Sequence, residues 1–133
     1  MDHPCTRIVW MYEIDNGIAV ERQKLSSPPG ERESLYGMSL SMLDETLYVG
    51  EPWSRRSEGQ VRDAVHVYRL HEGGWELSDT IVREYDGAVV EPVFGAWCHA
   101  LQNGSVAIGA VEGYSRKRDA PDPGCVFLYQ RSR

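Results

Sequence analysis

Cysteine is scarce in this chain: Cys5, Cys98 and Cys125 are the only three in 133 residues. An odd number excludes a fully paired framework, and the spacing fits no metal-ligand pattern. Three reduced thiols are expected, two of them at strand positions, where free cysteine packs as a small hydrophobe. Long apolar runs are lacking as well. No stretch approaches the roughly 18 residues that a membrane-spanning helix requires, so membrane insertion is not expected. The opening Met1-Asp2-His3-Pro4-Cys5 has no basic segment leading into an apolar one, so no secretory signal is expected. Positive charge is in deficit, with 14 Lys and Arg against 20 Asp and Glu and a net charge of −6. That balance argues against nucleic acid as a partner. Helical periodicity is hard to find, and Pro28-Pro29-Gly30 reads as a loop.

Catalytic patterns are missing in the same way. No nucleophile elbow occurs. The four histidines, His3, His66, His71 and His99, share no spacing, and metal sites need convergent ligands. His66 and His99 sit within strand patterns, where a packed, hydrogen-bonded ring is expected. The sequence therefore predicts no catalytic residues, no metal and no cofactor, and a protein that is not an enzyme. What is present suits one folded domain over 1–133: 41% hydrophobic and 26% charged residues, on a chain long enough to bury a core.

The clearest positive signal is an internal repeat. Tyr36-Gly37-Met38-Ser39-Leu40 returns as Phe94-Gly95-Ala96-Trp97-Cys98, at an offset of 58. Thr46-Leu47-Tyr48-Val49-Gly50 returns as Ser105-Val106-Ala107-Ile108-Gly109, at 59, and Ala64-Val65-His66-Val67-Tyr68 as Cys125-Val126-Phe127-Leu128-Tyr129, at 61. Three blocks in one order, with insertions only between them, mark a repeat rather than chance. An earlier partial unit is visible too, since Tyr12 matches Tyr68 and Gly17 matches Gly74. The expected division is a partial unit at 6–25, one repeat at 36–83 and another at 94–130.

Each unit reads as strands. Ile8–Tyr12, the turn Asp15-Asn16-Gly17 and Ile18–Leu25 make a hairpin. Val65–Leu70, a turn at His71-Glu72-Gly73-Gly74 and Trp75–Val82 make its counterpart. With the strands of a unit named first to fourth, the chain runs third, fourth, first, second, third, fourth, first, second, third. Nine strands are predicted. First-to-second turns are tight, at Asp44-Glu45 and Gln102-Asn103-Gly104. Second-to-third connections are long, from Glu51 to Arg62 and from Ala110 to Pro123, and long connections tend to carry function.

These blocks resemble the FG-GAP repeat of integrin-α-like β-propellers. Tyr36-Gly37 and Phe94-Gly95 look like its Phe-Gly, Gly50-Glu51-Pro52 and Gly109-Ala110-Val111 look like its Gly-Ala-Pro, and the closing Val-x-Val-Tyr at Val65–Tyr68 looks like its third strand. The resemblance implies an all-β fold of antiparallel four-stranded propeller blades, about two of them. A closed propeller holds 4–8 blades, so an incomplete or oligomeric propeller is implied. It also implies binding or adhesion, and an extracellular or cell-surface setting, whereas unpaired cysteines fit the cytoplasm. The calcium loop of some members is not expected here. The turns at Leu43–Thr46 and Leu101–Ser105 are too short and too poor in carboxylates for six to eight oxygen ligands.

The long connections hold the candidate binding residues. Trp53-Ser54-Arg55-Arg56 and Tyr114-Ser115-Arg116-Lys117-Arg118 place an aromatic, a serine and a basic cluster at matched repeat positions in an acidic chain. Trp53, Arg55, Arg56, Tyr114, Arg116, Lys117 and Arg118 would suit carboxylate, phosphate or sulfate groups. The plainer expectation is solvated loop charges paired with carboxylates such as Glu51, Glu58 and Asp119. The sequence thus predicts a non-catalytic binding or interaction module. Its partners would be a second copy, a protein with similar blades, or an acidic protein segment or anionic glycan. The alternatives are an accessory repeat segment of a hydrolase and a purely structural blade pair.

Overall fold

The computed structural model describes residues 7–28, 34–55, 61–84, 93–111 and 125–130. They form nine strands: β1 (Ile8–Asp15), β2 (Ile18–Ser26), β3 (Ser39–Leu43), β4 (Thr46–Arg55), β5 (Val61–His71), β6 (Gly74–Glu84), β7 (Val93–Ala100), β8 (Val106–Val111) and β9 (Cys125–Tyr129). All pairings are antiparallel and join chain neighbours, in three sheets of two, four and three strands: β1-β2, β3-β4-β5-β6 and β7-β8-β9. The fold is all-β, as expected. Among the described residues the sole helical turn is Gln102–Gly104, where Asn103 takes a positive φ.

Turn chemistry sets the registers. Asn16 and Gly17, both at positive φ, close the β1–β2 hairpin, and a two-residue turn with both centres left-handed matches the twist of the flanking strands. Asp44 and Glu45 close β3–β4, with Asp44 at φ 52°. One expectation needs correction. β4 does not stop at Gly50 but runs on to Arg55, still paired with β5, across a bulge between Glu51 and Ser54. Pro52 and the polar Trp53-Ser54-Arg55 read as loop in sequence, yet the bulge lets the strand continue past a residue that cannot donate.

The three sheets stack, with the four-stranded one in the middle, because its strands are apolar on both faces. Leu47, Val49 and Tyr68 turn toward the hairpin and cluster with Val9, Leu25 and Tyr36. Tyr48, Val65 and Val67 turn the other way and cluster with Phe94, Cys98, Val106 and Ile108 of the β7-β8-β9 sheet. Alternation along β4 and β5 therefore serves two cores at once.

The two junctions repeat each other at several matched positions. A Cβ on Gly37 would lie 3.1 Å from Val9 Cγ2, and one on Gly95 would lie 3.3 Å from Val65 Cγ2. The rings of Tyr36 and His66 sit 5.8 Å apart, and those of Phe94 and Phe127 at the matched positions sit 5.5 Å apart. Tyr36 pairs with Tyr68 as Phe94 pairs with Tyr129. Register shifts fall at the same place in the third strands, between Met11 and Tyr12 and between Val67 and Tyr68.

Candidate functional site

Acid–base side chains converge at the junction of the hairpin with the four-stranded sheet. Glu51 on β4 and His66 on β5 point to the hairpin side, and both are essentially inaccessible, at 0% and 2% exposure. His66 Nε2 meets Glu51 Oε2, while Ser27, just beyond β2, donates its hydroxyl to Glu51 Oε1. On the other side of the ring, Nδ1 lies 3.1 Å from the Thr80 hydroxyl on β6. Next to this chain, the Tyr36 and Tyr68 hydroxyls share a hydrogen bond of 2.7 Å.

The protonation pattern follows from what each atom can do. Burial alone would raise the Glu51 carboxyl, but hydrogen bonds from His66, Ser27 and Ser34, aided by attraction to His66, hold it below its ordinary value. An ionised carboxylate only accepts, so His66 Nε2 carries a proton and Nδ1 meets the Thr80 hydroxyl. Burial, the mutual hydrogen bond and the nearby Glu51 charge push the Tyr36 hydroxyl far up. Burial and the same charge raise Tyr68, against a lowering contribution from its bond to Tyr36. A Ser–Glu–His–Thr chain resembles a proton relay in composition. Here every member is spent on a neighbour between two packed sheets, so its chemical capacity is to join β2, β4, β5 and β6.

The matched positions at the second junction are apolar. Ala110 stands where Glu51 stands, and Phe127 where His66 stands, packing its ring on Phe94 and beneath the Arg83 guanidinium. There the polar links are to backbone: Asp63 accepts from the Phe94 amide at 3.0 Å, and the Ser41 hydroxyl accepts from Ala100 at 2.8 Å. Ser39 donates to the Gly95 carbonyl at 2.8 Å and lies 3.3 Å from Cys98 Sγ. Burial raises the Cys98 thiol, with a smaller opposing effect from Ser39. Between β6 and β9 runs an open groove of about 120 Å³, lined by Arg69, Asp79, Ile81 and Tyr129. It is smaller than a typical small-molecule pocket.

Of the sequence-predicted binding residues, Trp53 and Arg55 lie near the end of β4, where Arg55 pairs with Val61. Arg56, Tyr114, Arg116, Lys117 and Arg118 lie outside the described residues. Glu51 is corrected: it is a buried partner of His66 and Ser27, not a solvated partner for loop arginines. The expectation of a packed, hydrogen-bonded His66 agrees with what is seen. Sequence reading missed the polar junction itself. Its signal was Glu51 following Gly50 where the second unit has Ala110, a charge placed directly after the apolar run Leu47–Val49. Searches against protein-family models, characterised proteins and solved structures find no match.

Proposed function

We propose that this chain is a non-catalytic binding module built of FG-GAP-like propeller blades. The observation that carries the proposal is the repeated junction: the same glycine, aromatic and bulge positions join hairpin to middle sheet and middle sheet to third sheet. A blade is a unit that packs face to face on its neighbours, and the 2-4-3 division of strands follows the phase of the sequence repeat. The burial of Glu51 and His66 favours a structural role for the acid–base pair over a catalytic one.

On this reading the basic and aromatic residues that recur at matched repeat positions, at the end of β4 and beyond it and after β8, receive an anionic partner, an acidic protein segment or a sulfated or carboxylated glycan. Repetition of backbone and packing needs explains recurring glycine and apolar residues. It gives no reason for arginine to recur beside an aromatic. Charge reversal at Arg55, Arg56, Arg116 and Arg118 is expected to alter stability by no more than about 0.5 kcal/mol each. Binding to an array of sulfated and carboxylated ligands at low salt is expected to weaken and to lose salt sensitivity. Wild-type protein that binds none of those anions would overturn the assignment of the loops.

A further inference from the structure

The end faces of the stack expose residues whose repeat counterparts are buried. Leu40 and Met42 on β3 are 52% and 58% exposed, while Cys98 and Ala100 at the matched positions of β7 are 5% and 9% exposed. Leu40 pairs with Val49 and Met42 with Leu47, so both face the hairpin side, beyond the area that two strands cover. On the opposite end, Val126 and Leu128 are largely exposed, while their counterparts Val65 and Val67 are buried. Trp97 and His99 of β7 are exposed on that same outer face, their rings stacked at 6.0 Å.

The two incomplete sheets complement each other. Among the described residues, β1-β2 supplies the third and fourth strands of a unit, and β7-β8-β9 supplies the first, second and third. β1 and β9 occupy one repeat position and carry one pattern: Val9-Trp10-Met11-Tyr12 and Val126-Phe127-Leu128-Tyr129, as does Val65-His66-Val67-Tyr68 on β5. β8 can therefore pair with either. Among the described residues β9 pairs with β8 from Cys125 to Tyr129. Among the described residues, the edge of β1 that faces away from β2 has no partner strand.

We infer that β7 and β8 of one copy join β1 and β2 of a second copy in a single four-stranded sheet, with β1 taking the place of β9. This rests on the blade reading above. In that sheet Trp97 and His99 cover Leu40 and Met42 of the second copy. Trp10 and Tyr12 of the second copy, now exposed, take the half-buried places of Phe127 and Tyr129 against Phe94. One contact covers Trp97 of one copy and Leu40, Met42, Trp10 and Tyr12 of the other, and that contact is heterologous: each copy offers two different faces.

The test uses light scattering on the full chain, with Trp10→Asp disabling the β1 face and Trp97→Asp disabling the β7 face. Wild type is expected to be oligomeric and each variant alone monomeric. An equimolar mixture is expected to form a capped 1:1 pair, since each variant keeps the face that the other has lost. Circular dichroism checks folding, and Leu40→Asp, also at an exposed position, replaces Trp10→Asp if that variant fails to fold. Hydrogen exchange in the wild-type oligomer should show β1 amides protected and Val126–Tyr129 released. A monomeric wild type, a variant retaining the wild-type mass, a mixture that stays monomeric, or β9 amides protected on assembly would each overturn the inference. None of these outcomes touches anion binding by the basic residues, so that part of the proposed function stands or falls separately.

Discussion

A carboxylate sealed between two sheets survives only if its lost hydration is replaced, and Glu51 has His66, Ser27 and Ser34 for that purpose. His66→Ala would strand the charge. It is expected to cost about 3–5 kcal/mol, measured by urea unfolding, because breaking a buried pair leaves its partner uncompensated. Replacing Glu51 and His66 together by Ala and Phe, the residues at the matched positions of the second junction, is expected to cost far less than the sum of the single changes. The pH response follows from the direction of each shift. The Glu51 carboxyl is lower in the folded chain than in the unfolded one, so its stabilisation is complete above the ordinary carboxylate range and fades as pH falls through its lowered value. Glu51→Gln should flatten the acid limb of the stability profile. Tyr36 and Tyr68 run the other way. Their raised values give stability that is complete below pH 10 and is lost as alkali ionises them, so Tyr68→Phe should flatten the alkaline limb. A pH profile of the unfolding midpoint checks both limbs, and wild-type slopes in the variants would contradict the assignments.

Sheet spacing at the second junction depends on two facing glycines. A Cβ on Gly50 would sit 2.1 Å from the Gly95 carbonyl oxygen, and one on Gly95, at φ 86°, would sit 2.9 Å from the Ala64 carbonyl oxygen. Backbone on the receiving side cannot swing away as a side chain can. Gly50→Ala is therefore expected to cost about 3 kcal/mol, whereas Gly73→Ala, with open space around it, should stay within about 0.5 kcal/mol. Thermal unfolding separates the two, and equal midpoints would remove the close approach as an explanation. These elements were legible in the sequence to an unusual degree, because repeat phase fixed strand order where local propensity could not. Val65-His66-Val67-Tyr68 names its strand only when set beside Val126-Phe127-Leu128-Tyr129. The continuation of β4 through Pro52 to Arg55 was not legible, since proline and charge signal a loop unless a bulge intervenes. Nor was the burial of Glu51. Its hydrogen-bonding surroundings are assembled from Ser27 and His66, with Thr80 behind His66, on three other segments, so no local pattern announces them.

At the scale of the whole molecule, the middle sheet has four strands among the described residues and the outer two have two and three. Stacked units gain stability from each neighbour, and an end unit with apolar residues outward has one neighbour too few. On the proposed reading the basic clusters and the end faces serve different purposes, one toward an anionic partner and the other toward the next copy. A net charge of −6 per chain keeps random encounters weak, so association should depend on fit rather than on bulk attraction. Heterologous contacts either close into a ring or continue as a filament. In the inferred assembly each copy would contribute one four-stranded sheet and the two parts of another, so closure at the 4–8 blades of known propellers would take about two to four copies. Native mass spectrometry of the 15.0 kDa chain counts them directly. A single closed species of two, three or four copies is expected. A monomer at every concentration, or an open-ended ladder of masses, would contradict the stacked-blade account.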